Sequence, residues 1–355
     1  MRPPLILAVT LATVGTLITA GAAMPSPAAA SGGGEPPRIP VTCDGVAPIV
    51  CHADVEPGDY DVSVVLGSAD ATASTAVRAE ARRMMVAEVA TGAGRFAHRH
   101  FTVNVREPEG EPTKTTSGTP GLTLTFTGAA PAVQDIRVRP AKPHTPMLYL
   151  AGDSTVCDQD TFPYTGWGQA IPQHLAGITV ANYADSGESS GSFLANPLLF
   201  DTMAPLLAPG DVVVLQFGHN DKQTTAEDYR ANLAALVAGV RERHARPILV
   251  SPPVRRLFAS DGTLTPTALH VNGLGVDLPA EMRAVATELD VPYVDLTAAS
   301  AALVTGLGPD ASQQLYLYQE LKDNTHFSEY GADVIGRLVL DGIGPLLRPY
   351  VKQRF

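Results

Sequence analysis

The sequence predicts an α/β protein in two parts, a small β-sandwich followed by a five-stranded parallel sheet with helices on both faces. Between residues 41 and 146, short segments alternate apolar and polar residues, and turn residues separate them. This pattern is typical of half-buried strands. From residue 147 onward, short apolar runs alternate with longer helical patterns, which indicates a parallel sheet covered by helices.

The β-rich part has its clearest strand patterns at residues 60–66, 101–105, 122–126 and 136–139. Residues 78–89 are ambiguous, because their alanines suit a helix whereas a strand fits the neighbouring pattern. We interpret residues 41–146 as a β-sandwich of roughly 100 residues. Three prolines within residues 140–146 indicate a boundary there, so that residues 147–355 form the second domain.

The second domain is predicted to have strands at residues 147–151, 178–183, 211–217, 247–251 and 291–296. The helical patterns between and after them cover residues 168–175, 226–243, 278–289 and 329–347. Five strands joined by such crossovers fit the flavodoxin-like strand order, in a three-layer α/β/α arrangement.

The first 30 residues have the features of a secretory signal peptide. Arg2 precedes an apolar run at residues 5–23, and Ala28, Ala29 and Ala30 offer a small-residue cleavage site. The alternative is an uncleaved membrane anchor, but threonines and small residues make the run weakly apolar for that role. We therefore expect a secreted, extracellular protein, with residues 31–40 as a linker.

The net charge and the cysteines indicate which binding partners and which cellular compartment to expect. The formal net charge of −11 argues against nucleic acid and against anionic membrane as partners. Cys43 and Cys51 lie eight positions apart, which predicts one small disulfide in an exported protein. Cys157 is left over, and we interpret it as a buried small hydrophobic residue.

A candidate nucleophile follows the first predicted strand of the parallel sheet. Ser154 lies two residues after Gly152, at the carboxyl end of the strand, where open α/β sheets bind their ligands. Far downstream, Asp323 and His326 supply an acid and an imidazole three residues apart. A nucleophilic serine needs a base, and the base needs an orienting acid, so we predict Ser154, His326 and Asp323 in these three roles.

Two further blocks, at residues 186–189 (Ser-Gly-Glu-Ser) and 218–221 (Gly-His-Asn-Asp), lie between Ser154 and His326. In this order, the four blocks resemble those of the SGNH (GDSL) hydrolase superfamily and, within it, the rhamnogalacturonan acetylesterases. The resemblance implies an oxyanion hole made by the backbone N–H groups of Ser154 and Gly187 and the side chain of Asn220. It also extends to the N-terminal part, which is similar to the β-rich module of many bacterial members.

The chain departs from the resembled family in the second block. Relatives often carry arginines there, whereas this chain has Glu188 and Gly191. If those arginines bind an acidic sugar, the remaining candidates for such a contact are Lys222, Arg255 and Arg256. His219 is expected to line the site without a chemical step of its own.

A different hydrolase fold offers a rival nucleophile. Residues 187–191 match the Gly-x-Ser-x-Gly elbow of α/β-hydrolases, in which Ser189 would act with Asp295 and His326. That elbow follows its strand directly, but residues 184–186 intervene here. We expect no metal or other cofactor, because His98 and His100 lack a nearby carboxylate cluster and no phosphate-binding glycine loop is evident.

The resemblance and the residues together predict a secreted serine esterase. Its expected substrate is an acetylated plant cell-wall polysaccharide, above all pectic rhamnogalacturonan, from which it removes acetyl groups. One alternative is a general lipase or thioesterase of the same superfamily. Another is a non-catalytic carbohydrate-binding protein that kept the fold, although the complete set of catalytic residue types argues against it.

Overall fold

Five parallel strands form the sheet that carries the candidate nucleophile. In the computed structural model, which describes residues 38–352, these strands lie in the flavodoxin-like order β10-β9-β11-β12-β13, as predicted. Their bounds are Met147–Gly152 (β9), Thr179–Asn182 (β10), Val212–Gln216 (β11), Arg246–Val250 (β12) and Tyr293–Val294 (β13). The first four are fully buried or nearly so, because helices cover both faces of the sheet.

The α-helices are Trp167–Ala170 (α1), Ser190–Ala195 (α2), Phe200–Met203 (α3), Ala226–Glu242 (α4), Leu278–Glu288 (α5), Leu296–Ala311 (α6), Tyr318–Leu321 (α7) and Glu329–Leu347 (α8). Three short 3₁₀ segments lie at Ile171–His174, Ala204–Leu206 and Ser312–Leu315. The long helices α4, α5 and α8 confirm the predicted patterns to within one residue at each end. The side chains of Thr225, Asp277 and Ser328 cap their first turns.

Two antiparallel sheets precede the parallel one. One has the order β1-β2-β7-β4-β5 and the other the order β6-β3-β8, and their inner faces share a single apolar core. The strands are Thr42–Asp44 (β1), Ile49–Ala53 (β2), Gly58–Leu66 (β3), Ala73–Ala79 (β4), Arg83–Thr91 (β5), Ala97–Val105 (β6), Leu122–Ala130 (β7) and Val133–Pro140 (β8). The predicted fold class, a β-sandwich before an α/β domain, is therefore confirmed.

The structure differs from the predicted elements in three places. Residues 78–89, which the sequence left ambiguous, are strand, turn and strand, with Glu80 and Arg82 at positive φ in the turn. The predicted helix at residues 168–175 is one α-helical turn that continues as a 3₁₀ segment containing Pro172. The last strand is only Tyr293–Val294, because Asp295 already caps helix α6, which the sequence analysis did not identify.

A buried ion pair joins the two predicted domains. Strand β8 ends at Pro140 and β9 begins at Met147, yet residues 38–352 belong to one compact unit. Arg83 of the sandwich places its Nε 2.8 Å from a carboxylate oxygen of Asp158, and both side chains are at most 1% exposed. Removing one member of a buried pair leaves an uncompensated charge, so this contact ties the sandwich firmly to the segment that follows Ser154.

The predicted disulfide is present at the start of the sandwich. Cys43 and Cys51 face each other across the antiparallel strands β1 and β2 and are bonded. The remaining thiol, Cys157, is buried, as predicted.

We expect the double variant Cys43→Ser/Cys51→Ser to lose about 2–3 kcal/mol of unfolding free energy, because a disulfide that closes so short a loop restricts the unfolded chain only modestly. Chemical denaturation of the two proteins, each with Cys157 left in place, measures this difference. A loss near zero would mean that the neighbouring strand pairs alone hold this edge of the sandwich.

The predicted signal peptide at residues 1–30 and most of the linker at residues 31–40 lie outside the described residues. Across residues 38–352, none of the helices combines the length and the apolar character that a bilayer crossing requires.

Candidate active site

Ser154 lies just beyond strand β9, in a turn that is fixed from several sides. Gly152 ends the strand in a close approach, because a Cβ atom there would lie 2.8 Å from the carbonyl oxygen of Gln216. One carboxylate oxygen of Asp153 accepts hydrogen bonds from both the backbone N–H and the hydroxyl of Thr155. These contacts hold the backbone while leaving Ser154 itself 9% exposed.

Ser154, His326 and Asp323 form one chain of hydrogen bonds. The Ser154 hydroxyl lies 2.9 Å from Nε2 of His326, and the other ring nitrogen, Nδ1, lies 2.7 Å from Oδ2 of Asp323. The second oxygen of Asp323 accepts the backbone N–H groups of Thr325 and His326. Burial acts to raise the pKa of Asp323, but these hydrogen bonds, led by the one from the His326 ring, outweigh it and lower the pKa to about 2.

Two side chains that are not part of the Ser154–His326–Asp323 chain help to hold it in place. The ring of Tyr164 meets the His326 imidazole edge to face, with ring centroids 5.2 Å apart. Arg256 donates hydrogen bonds to the side chain of Asn324, between the acid and the histidine, and also to Pro309. The imidazole is thus fixed by packing on one side and by the hydrogen-bonded turn on the other.

The second and third sequence blocks lie next to Ser154. The Gln159 amide donates to the carbonyl oxygen of Ser154 at 2.9 Å and lies 3.5 Å from the hydroxyl of Ser186. The Asn220 amide donates to the carbonyl of Glu188 at 3.1 Å, which leaves its second N–H for another acceptor. Ser186 and Glu188 flank Gly187, so all three predicted oxyanion-hole residues lie in one cluster.

Gly187 requires the conformational freedom of glycine. Its φ of 87° is in the left-handed region, which side-chain-bearing residues rarely adopt. Within residues 38–352, and apart from Gly187 and its two chain neighbours, no heavy atom lies within 4 Å of the position that a Cβ atom would take. The backbone at Gly187 therefore borders open space, where a ligand can approach it.

The candidate substrate-contacting residues have different surroundings. The His219 ring is 1% exposed and lies 3.4 Å from a carboxylate oxygen of Asp153, and burial lowers its pKa. It is therefore a buried support beneath the Ser154 turn rather than a group that faces a bound ligand. Arg256 is likewise held by internal acceptors. Arg255 is half-buried and donates to Thr325 and to the carbonyl of His219, whereas Lys222 is exposed.

In the described part of the chain, the side chain of the rival nucleophile, Ser189, is hydrogen-bonded to Ser192 and not to a base. Ser189 caps helix α2, where its side chain accepts the N–H of Ser192. Asp295 caps helix α6 and pairs with Arg283. His326 is bonded instead to Ser154 and Asp323, so the structure contradicts the α/β-hydrolase alternative.

Comparison with known proteins gives the class of this chain. Residues 150–334 match the GDSL-like Lipase/Acylhydrolase family, and the chain belongs to that family, which makes it a carboxylic ester hydrolase. Within the family, the predicted likeness to rhamnogalacturonan acetylesterases is confirmed. The chain is 35% identical to the rhamnogalacturonan acetylesterase RhgT of Bacillus subtilis over 219 residues, which are 57% of this chain and 91% of RhgT.

Two further comparisons extend this result. The chain is 32% identical to the probable rhamnogalacturonan acetylesterase YesY of Bacillus subtilis over 222 residues, covering 58% of this chain and 98% of YesY. The crystal structure of the Bacillus subtilis protein YxiM superposes with a TM-score of 0.53 at 24% identity, covering 84% of this chain and 80% of that one. That coverage exceeds the parallel-sheet part alone, so the fold likeness includes part of the β-sandwich.

Proposed function

We propose that this protein is a secreted serine esterase that removes acetyl groups from plant cell-wall polysaccharide, with pectic rhamnogalacturonan as its main substrate. The observation that carries the proposal is the hydrogen-bonded chain from Ser154 through His326 to Asp323. It lies beside an open backbone position at Gly187. The names of the relatives RhgT and YesY support the choice of substrate.

In the proposed mechanism, the Ser154 hydroxyl attacks the ester carbonyl while Nε2 of His326 takes its proton. Asp323 holds the imidazole in the tautomer that can accept this proton and stabilises the resulting cation. The backbone N–H groups of Ser154 and Gly187 and the amide of Asn220 donate to the oxyanion. His326 then protonates the leaving sugar alcohol, and water repeats the sequence on the acyl-enzyme.

An exposed aromatic ring near Tyr164 in the chain supports a sugar ligand in this proposal. Phe162 is 70% exposed, stacks beneath the guanidinium of Arg82, and lies two residues from Tyr164, which contacts His326. Exposed aromatic rings of this kind provide flat apolar surfaces for a ligand. The apolar run at residues 315–318 is the segment of the sequence that could supply a wall for an acyl trough. Leu315, Tyr316 and Leu317 are at most 1% exposed, and the half-buried Tyr318 is covered by the guanidinium of Arg256.

Acyl chain length separates the acetylesterase from the lipase alternative. We expect kcat/KM to fall from acetyl to butyryl esters of one alcohol and to be negligible for octanoyl esters. A real trough would instead contribute about 0.8 kcal/mol per buried methylene, which is about a fourfold gain for each. Rates that climb from acetyl through octanoyl would favour the lipase reading.

The substrate itself is tested by acetate release from a panel of acetylated polysaccharides, with the Ser154→Ala variant as the background for each. We expect rhamnogalacturonan to give the highest kcat/KM. A higher value for acetylated xylan would support the esterase activity but assign acetylated xylan as the substrate. Binding to the polymers without any acetate release would support the non-catalytic alternative.

The extracellular location rests on the leader-like residues 1–30 and on the Cys43–Cys51 disulfide. Disulfides persist in oxidising compartments. N-terminal sequencing of protein recovered from culture medium tests the location, and the expected mature chain begins close after Ala30.

A further inference from the structure

The β-sandwich reaches the candidate oxyanion hole through one loop. Residues 106–121, here called the β6–β7 loop, join strand β6 to strand β7. Glu111 of this loop is 1% exposed, and its Oε1 accepts the backbone N–H of Ser186 at 2.8 Å. Ser186 directly precedes Gly187, whose own N–H is a proposed oxyanion donor.

A second contact fixes the residue before Ser186. The backbone N–H and the hydroxyl of Thr113 donate to the two carboxylate oxygens of Asp185, at 2.8 and 2.9 Å. Asp185 is 2% exposed. Asp185 and Ser186, the two residues before Gly187, are therefore both hydrogen-bonded to the β6–β7 loop of the sandwich.

The β6–β7 loop is itself rigidly held, which it must be to position another segment. Arg106 donates to the carbonyl of Gly110, and Glu109 accepts the backbone N–H of Thr119. Lys114 forms ion pairs with both Glu111 and Asp160, and Asp160 belongs to the segment that follows Ser154. The loop thus spans the two segments that carry the nucleophile and the oxyanion glycine.

We propose that Glu111 and Thr113 are positioning residues that set the Gly187 N–H for the oxyanion, so that the β-sandwich is a working part of the active site. This inference rests on the proposed function. A backbone donor is useful only within hydrogen-bond distance of the developing charge, and a small displacement of it weakens catalysis. Neither side chain needs to touch the substrate for this role.

The test compares variants of the full-length protein on a soluble aryl acetate. We expect Glu111→Ala to lower kcat about 10–100-fold with little change in KM, because only transition-state stabilisation is lost. Glu111→Gln retains an acceptor for the Ser186 N–H and should recover most of that loss. Thr113→Val should give a smaller fall in kcat, whereas Thr116→Val, an exposed threonine of the same loop, should match the parent protein.

Active sites are counted by labelling with a serine-reactive phosphonate, so that kcat refers to folded enzyme only. If Glu111→Ala and Thr113→Val both keep kcat within about twofold, or if the loss is confined to KM, the inference is overturned. If Glu111→Ala fails to fold, the test is the kcat of Thr113→Val compared with that of Thr116→Val. Values within about twofold of each other overturn the inference. Undiminished activity of Ser154→Ala in the same assay would instead overturn the proposed function and this inference with it.

Discussion

The Ser154→Ala variant is expected to lose ester hydrolysis by several orders of magnitude. In the proposed mechanism the Ser154 hydroxyl oxygen forms the bond to the acyl group, and the residues of the Ser154–His326–Asp323 chain act as a unit. The substitution removes a single oxygen atom and leaves the backbone contacts of the Ser154 turn in place, so little change in stability is expected. Steady-state kinetics on an aryl acetate and thermal unfolding of both proteins measure the two quantities.

Ser189→Ala is the matched control, because it removes the same atom from a neighbouring serine. Ser189 caps the short helix α2 and does not contact His326. We expect most of the activity to remain, with about 1 kcal/mol of stability lost from the helix cap. An inactive Ser189→Ala beside an active Ser154→Ala would require a different nucleophile.

Asn220→Ala is expected to lower kcat roughly 10²–10³-fold with little change in KM, as for the loss of one oxyanion donor. One of its amide hydrogens is used by the carbonyl of Glu188, which orients the other. The amide therefore contributes mainly when the oxyanion forms. Steady-state kinetics on the same aryl acetate separate kcat from KM.

Asn220→Asp keeps the size of the side chain but replaces the donor with an acceptor. We expect it to be at least as damaging as the alanine variant. If Asn220→Asp remained active, or if Asn220→Ala changed KM alone, Asn220 would be a ground-state binding residue.

The arrangement of the parallel sheet was predictable because its signals are local. Strands β9 to β12 are short apolar runs, and the helices α4, α5 and α8 begin at side chains that cap them. Ser154, Gly187 and Asn220 each follow a strand, and the carboxyl ends of parallel strands lie at one edge of the sheet. Their proximity therefore follows from the strand order.

The contacts that join distant parts of the chain were not predictable. Glu111 and Thr113 lie in a loop of the sandwich that has no motif, and only the packed structure brings them to Ser186 and Asp185. Arg256 was a candidate contact for an acidic sugar, but its guanidinium is hydrogen-bonded to Asn324 and Pro309 inside the protein. The packing of Tyr164 on His326 was also not predicted, because the two residues lie far apart in the chain.

Mass mapping of the serine labelled by a phosphonate tests the central claim most directly, because the label marks whichever hydroxyl the protein activates. We expect a single modified peptide that carries the label on Ser154, with no labelling in the Ser154→Ala and His326→Ala variants. A label on Ser189 or on another serine, or the absence of any label on the folded parent protein, would contradict it.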